Sequence, residues 1–161
     1  MKIFGIVGWK NSGKTTLVAA LVREFSARGL SISTVKHAHH AFDLDRPGKD
    51  SYLHRDAGAS EVLIASHDRW ALLHELRGAA EPPLSELLRH MSPVDLVLVE
   101  GFKHGGHPKL EVRRRDSAGG PLSESDPHIV AIATDDAISA EQQPVFALDD
   151  ITGIADFILQ A

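Results

Sequence analysis

The sequence predicts an α/β fold with a mainly parallel central β-sheet flanked by helices, and three observations predict it. Short β-rich runs alternate with helical ones along the chain. Two of those runs, "DLVLVEG" and "HIVAIAT", are apolar without alternating, as strands buried on both faces of a parallel sheet are. The first strand passes into the first helix through the glycine-bearing stretch "GWKNSGKTT", Gly8 to Thr16.

Taken in order, "KIFGIVG" reads as a strand and "KTTLVAALVREFSARG" as a helix. The helix rests on Leu17, Leu21 and Phe25 at four-residue spacing beside Val18 and Val22, with Gly29 as a stop. "LSISTVKH" is the second strand and completes a βαβ unit. "AHHAFDLDRPGKDSYLHRDAG" reads as a loop leading into a short helix, "EVLIAS" as a strand and "LSELLRHM" as a short helix. "DLVLVEG", "PKLEVRR" and "HIVAIAT" are further strands, with "DSAGGPLSESDP" a loop by its Gly, Ser and Pro content. After "VFAL" comes a final helix, "ITGIADFILQ", capped by Asp149 or Asp150. No internal repeat, linker or low-complexity tract interrupts the chain. Its 161 residues suit one compact domain, 1–161, better than two.

Composition narrows the function classes. Acidic residues outnumber basic ones, 22 to 17, for a net charge of −5 and a pI near 6.0, which argues against a nucleic-acid partner. Without cysteine, disulfides, thiolate metal sites and Cys nucleophiles are excluded, and a metal must use His, carboxylate or hydroxyl ligands. The N-terminus lacks the pattern of a secretory signal, and no apolar run approaches the roughly 20 residues that span a bilayer. The expected location is the cytoplasm, with no membrane partner.

Gly8 to Thr15 matches G-x-x-x-x-G-K-[ST] at every fixed position, between a predicted strand and a predicted helix. This is the phosphate loop, or Walker A motif, of the P-loop NTPase fold. Its glycines let successive N–H groups turn inward, and the helix that follows adds its positive end. Gly8, Trp9, Lys10, Asn11, Ser12, Gly13, Lys14, Thr15 and Thr16 are the expected nucleotide-binding residues. Lys14 reaches the β- and γ-phosphates, Thr15 ligates Mg²⁺, and Thr16 donates to the α-phosphate.

Such a site needs an acidic residue at the carboxyl end of a neighbouring strand, where ligands of parallel sheets lie. "DLVLVEG" offers Asp95 and Glu100, separated by roughly 16 Å of strand. Glu100 is at the ligand edge; Asp95, at the far end, is structural or solvated. His37, His39, His40, Asp43, Asp45 and Asp50 follow the second strand. They face a substrate or the Mg²⁺ shell, hold a transition metal, or lie in a solvated loop, and H-x-H-H lacks the partner spacing of a strong metal motif. The run Arg113 to Arg115 either meets an anionic partner or is solvated. Trp9 could stack on a ligand, and Trp70 is expected to pack on the core or on a neighbouring subunit. Asp135, at the end of a late strand, is placed either to accept from guanine or to cap a turn.

"GWKNSGKTTL", "VKHAHH", "DLDRPGKDSYLHRDAGA", "ASHDRWALL", "DLVLVEGFK" and "AIATDD", in this order, resemble the MobB family of molybdopterin-guanine dinucleotide biosynthesis proteins. The resemblance implies a homodimeric GTP-binding protein, at most a slow GTPase, that assists the partner enzyme joining GMP to molybdopterin. Its partners would be GTP, molybdopterin or its guanine dinucleotide, and that enzyme. Carried over by motif, Gly8 to Thr16 hold GTP and Mg²⁺, Asp50 and Glu100 surround the γ-phosphate and the metal, and Asp135 meets the base. Lys14, Glu100 and Asp50 are then the residues closest to any chemistry. Two alternatives stay open from the residues: an ATP-dependent small-molecule kinase with Asp50 as base, and a nickel-type metallochaperone GTPase using His37, His39 and His40. An arginine acting across a dimer, Arg55 or Arg69, could raise hydrolysis by roughly 10³ to 10⁵.

Overall fold

The computed structural model describes residues 1–38, 44–115, 119–136 and 142–161. These form two compact units, one of Met1–His37 with Met91–Ala161 and the other of Ala38–His90.

The first unit is built on a six-stranded, wholly parallel sheet: β1 (Lys2–Val7), β2 (Ile32–Lys36), β5 (Leu96–Glu100), β6 (Lys109–Arg113), β7 (Ile129–Thr134) and β8 (Val145–Ala147), ordered β2-β5-β1-β6-β7-β8. The central position of β1 puts the turn after it at the carboxyl edge of the sheet. β5 is buried at all five positions, as its unbroken apolar run predicts. The expected strands "KIFGIVG", "LSISTVKH", "PKLEVRR" and "HIVAIAT" all form, trimmed at their ends.

Helix α1 (Lys14–Ala27) buries Leu17, Val18, Leu21 and Phe25, the stripe that the four-residue spacing predicts, and stops before Gly29 at φ 81°. Burying each such side chain contributes about 1.5–3 kcal/mol. Together with Ile154, Ala155 and Ile158 of α4 (Ile151–Gln160), these residues cover Phe4, Ile6, Leu98, Leu110 and Val112 of the sheet. Of the two candidate caps, Asp150 is the one whose carboxylate accepts from an amide of α4, that of Gly153, at 3.0 Å.

On β6, alternate residues have opposite chemistry. Leu110 and Val112 enter the apolar core, whereas Lys109, Glu111 and Arg113 carry charge onto the other face. These charges bind the segment that follows. Lys109, fully buried, donates to Asp126 at 2.6 Å, and Glu111 accepts from the amides of Leu122 and Ser123 at 3.0 and 3.1 Å. Arg113 donates to Glu111 and to the Ser123 hydroxyl.

The second unit holds α2 (Asp50–Asp56), a two-stranded antiparallel ribbon of β3 (Glu61–Ala65) and β4 (Trp70–His74), and the short α3 (Leu84–Leu87) running into a 3₁₀ turn. The helix expected over "LSELLRHM" is this α3 and its extension. The sequence reading does not anticipate β4, because "WALLH" has no alternation and contains helix-forming Ala and Leu; cross-strand pairing with β3 decides its state. Of the two positions expected for Trp70, on the core or on a neighbouring subunit, it does not take the first: it pairs with Ala65 at the ribbon end and is 66% exposed.

Candidate functional site

The phosphate loop is shaped by its glycines and one asparagine. Gly8, Asn11 and Gly13 have φ of 150°, 63° and 98°. At Gly8 the requirement is also steric, because a Cβ would collide with the Val112 carbonyl oxygen of β6. Gly13 starts α1, and no side chain caps that helix, so its first N–H groups keep their donor capacity for an anion. Ser12 is buried within the loop, while Lys10, Asn11, Thr15 and Thr16 are exposed.

Lys14 crosses the loop and donates from Nζ to the Trp9 carbonyl at 2.6 Å, with the Ser12 hydroxyl 3.5 Å away. Burial pushes its pKa below the usual lysine value; Glu100 opposes that shift, and Lys103 and Lys36 add to it. Three ammonium groups therefore converge on one edge of the sheet.

Glu100 is the last residue of β5 and the acid chosen from the sequence by strand direction. It is nearly buried, and the Thr15 hydroxyl donates to its Oε1 at 2.8 Å. Neighbouring oxygens on an octahedral Mg²⁺ shell of about 2.1 Å bond length lie about 3 Å apart, so this pair has the spacing of two adjacent ligands. Among the described residues no group of three His, Cys, Asp or Glu side chains could hold a metal ion. A divalent ion at Thr15 and Glu100 would take its other ligands from phosphate oxygens and water. Asp95 bonds the amide and hydroxyl of Ser31 at 2.8 and 2.6 Å, and these bonds hold its carboxyl below the usual range, a structural role at the far edge.

Trp9 holds a neighbouring segment. Its indole N–H donates to the Gly120 carbonyl at 2.8 Å, Lys103 Nζ lies 4.3 Å from the ring centroid, and Gly119 packs so closely that a Cβ there would enter the ring. Asp135, just past β7, uses both carboxylate oxygens: Oδ2 accepts from Arg114 Nη1 at 3.2 Å and Oδ1 from the Arg115 amide at 3.0 Å. A groove of about 620 Å³ opens beside it, lined by Arg114, Thr134, Asp136, Phe146, Leu148 and Asp149 among others.

The arginine run is ion-paired, and Arg114 and Arg115 are also solvent-exposed, with side chains 49% and 69% accessible. Arg113 is bound to Glu111, Arg115 to Asp136, and Arg114 both to Asp135 and, through Nε, to the Ser12 carbonyl at 3.2 Å. Arg114 thus joins the phosphate loop to the end of β7. Sequence reasoning missed Lys36 and Lys103 as site residues, and weighed Arg114 only within the arginine run, without its link to the phosphate loop. A signal for Lys36 exists: it is the last residue of β2, whose carboxyl end was expected at the ligand edge.

His37 follows Lys36 and tilts against the Phe102 ring at 4.6 Å, while His39, His40 and Asp43 lie outside the described residues. Asp50 belongs to the second unit, exposed at the first position of α2. Arg55, in the same unit, is bound to Asp45 at 2.8 Å and to Glu75 at 3.6 Å.

The chain is 40% identical over 162 residues to the molybdopterin-guanine dinucleotide biosynthesis adapter protein of Escherichia coli, covering 98% of this chain and 91% of that one. It is 37% identical to the adapter protein of the same name from Haemophilus influenzae, covering 97% and 86% of the two chains. The crystal structure of Bacillus subtilis MobB superposes with a TM-score of 0.78 at 26% identity, covering 99% of this chain and 97% of the other. The sheet is therefore that of a P-loop NTPase fold. Because residues 3–135 also match the family model for molybdopterin guanine dinucleotide synthesis protein B, the chain belongs to that family.

Proposed function

We propose that this protein binds Mg²⁺–GTP at its phosphate loop and acts as an accessory protein in molybdenum cofactor biosynthesis, assisting the enzyme that attaches GMP to molybdopterin. The observation that carries the nucleotide reading is the pairing of Thr15 with Glu100 at 2.8 Å directly after the Lys14 loop. That pair supplies two metal ligands, the α1 N-terminus and Lys14 supply donors for the phosphates, and the groove beside Asp135 offers room for a base. Bound Mg²⁺ would neutralise charge on the β- and γ-phosphates. Arg114 and the Arg115 amide each use one acceptor site of the Asp135 carboxylate, so in this reading its remaining lone pairs accept from guanine while the arginines hold it in place. The hydrogen bond from Thr15 commits Glu100 to the metal side, in keeping with slow hydrolysis. The accessory role rests on family membership, which lends no support to the kinase and metallochaperone alternatives. We read the protein as a cytoplasmic homodimer; among the described residues no helix is long and apolar enough to cross a membrane.

The test is a titration with GTP and with ATP in Mg²⁺, using Lys14→Ala as control. GTP binding tighter than ATP binding, and lost in the variant, is expected. Equal affinity in Lys14→Ala, or preference for ATP, overturns the nucleotide reading. Failure of the GMP-transferring enzyme to gain activity when the protein is added overturns the accessory role.

A further inference from the structure

Lys36 and Glu100 face one another by register: they are Cα partners at the ends of parallel strands β2 and β5, so their side chains leave the same face. Lys36 Nζ stands 3.4 Å from Glu100 Oε1 and 3.5 Å from Thr15 Oγ1, and those two oxygens are 2.8 Å apart. A cation is thus directed at the same carboxylate oxygen and hydroxyl that a divalent ion on this loop would use. An ammonium supplies one charge through donated hydrogen bonds, whereas Mg²⁺ needs short direct bonds to oxygen lone pairs, so both cannot engage Oε1 fully. The Lys36 side chain is 60% exposed and that of Glu100 11%, so the long lysine can swing away while the carboxylate stays.

We propose that Lys36 is a built-in substitute for the divalent cation: its ammonium neutralises Glu100 in the metal-free protein and yields that place when Mg²⁺ enters with the triphosphate. This inference rests on the nucleotide reading above and adds a role for a residue outside the phosphate-loop motif. Two consequences follow from charge and geometry. Without nucleotide, a free divalent ion must displace Lys36 and binds weakly. With nucleotide but no metal, Lys36 remains to face the phosphates, so metal-free binding depends on it far more than metal-loaded binding does. A lysine that merely contacts a phosphate contributes alike in both conditions, and that difference separates the two roles. Lys14 is held apart by its contact with the Trp9 carbonyl, which is why the exposed Lys36, and not the loop lysine, is free to exchange.

The experiment compares the wild-type protein with Lys36→Met, which keeps the stem and removes the charge, and with Lys36→Arg, which keeps the charge. A non-hydrolysable GTP analogue is titrated in excess EDTA and in excess Mg²⁺, and Mn²⁺ binding to nucleotide-free protein is followed by electron paramagnetic resonance. We expect Lys36→Met to lose at least about tenfold in affinity in EDTA and less than about threefold in Mg²⁺, with Lys36→Arg recovering most of the loss. Nucleotide-free Lys36→Met should bind Mn²⁺ at least threefold more tightly than wild type. Equal losses with and without metal, or unchanged Mn²⁺ binding, overturn the proposal. Should the wild type bind no nucleotide, the reading of function fails on its own, and the Mn²⁺ comparison still decides the role of Lys36.

Discussion

Removing the Asp126 carboxylate should cost the first unit several kilocalories, and removing its partner as well should restore most of them. Lys109 has a side chain only 1% exposed, and it forms a 2.6 Å ion pair with Asp126, itself 19% exposed. Asp126→Ala leaves a buried ammonium without that partner, a change that typically costs about 3–5 kcal/mol. The penalty has a ceiling, since discharging an ordinary lysine at pH 7 costs about 4.6 kcal/mol. A loss of about 3–4.5 kcal/mol is therefore expected, which lowers Tm by roughly 6–18 °C in a chain of this size. The double variant Lys109→Met/Asp126→Ala removes the charge while keeping an unbranched side chain of similar volume. It should be at least about 2 kcal/mol more stable than Asp126→Ala alone. Urea denaturation at pH 7, followed through Trp9 fluorescence in a Trp70→Phe background, reports on this unit alone. A double variant no more stable than the single one, or a single loss under about 1 kcal/mol, would refute the claim that burial of Lys109 sets the cost. Nucleotide affinity should fall in step with the single variant, because the segment pinned by this pair carries the Gly120 carbonyl that holds Trp9.

Further outcomes are expected elsewhere. Gly119→Ala places a methyl group inside the Trp9 ring, so it should shift Trp9 emission and weaken nucleotide binding at least about fivefold, measured in the Trp70→Phe background. His107 is half-buried, with Nε2 finding no hydrogen-bond partner among the described residues, and burial followed by the Lys109 charge pushes its pKa below the ordinary 6.5. Its unfolded form takes up a proton first, so stability should fall as pH drops below about 6.5 and level off once the folded imidazole protonates. His107→Gln should flatten that part of a Tm-against-pH curve. Burial alone would raise the Asp126 pKa, but hydrogen bonds from Lys109 and the His128 amide hold it below the ordinary 3.8. Its stabilisation is complete above that value and lost only as pH falls through the lower folded pKa, so the two windows separate. Asp150→Ala removes the cap on α4 and should cost about 1 kcal/mol by thermal melting.

Much of the site was legible because its signals are local. Glycines, lysine and hydroxyls at fixed spacing specify a backbone path and a set of donors within nine residues, and strand direction then selects Glu100 over Asp95. The structure pairs Thr15 with Glu100 across 85 positions of sequence, as that argument requires. Asp150 was narrowed to two neighbours, and only the helix trajectory separates them. β4 was not legible, because a short apolar run becomes a strand only when a partner such as β3 completes its hydrogen bonds.

What the sequence by itself determined is the chemistry of the phosphate loop, the apolar stripe of α1, the buried strands and the family to which the chain belongs. These follow from residue type and spacing over a dozen positions or fewer, or from ordered motifs. Only the tertiary structure decided which distant groups meet: Lys36 with Glu100, Arg114 with the Ser12 carbonyl and Asp135, Lys109 with Asp126, and Trp9 with Gly119 and the Gly120 carbonyl. A charged side chain carries no mark in sequence of the partner it will find, because that choice is made by strand order and register. In this sheet β2, β5 and β1 lie side by side, although β5 begins some sixty residues after β2 ends.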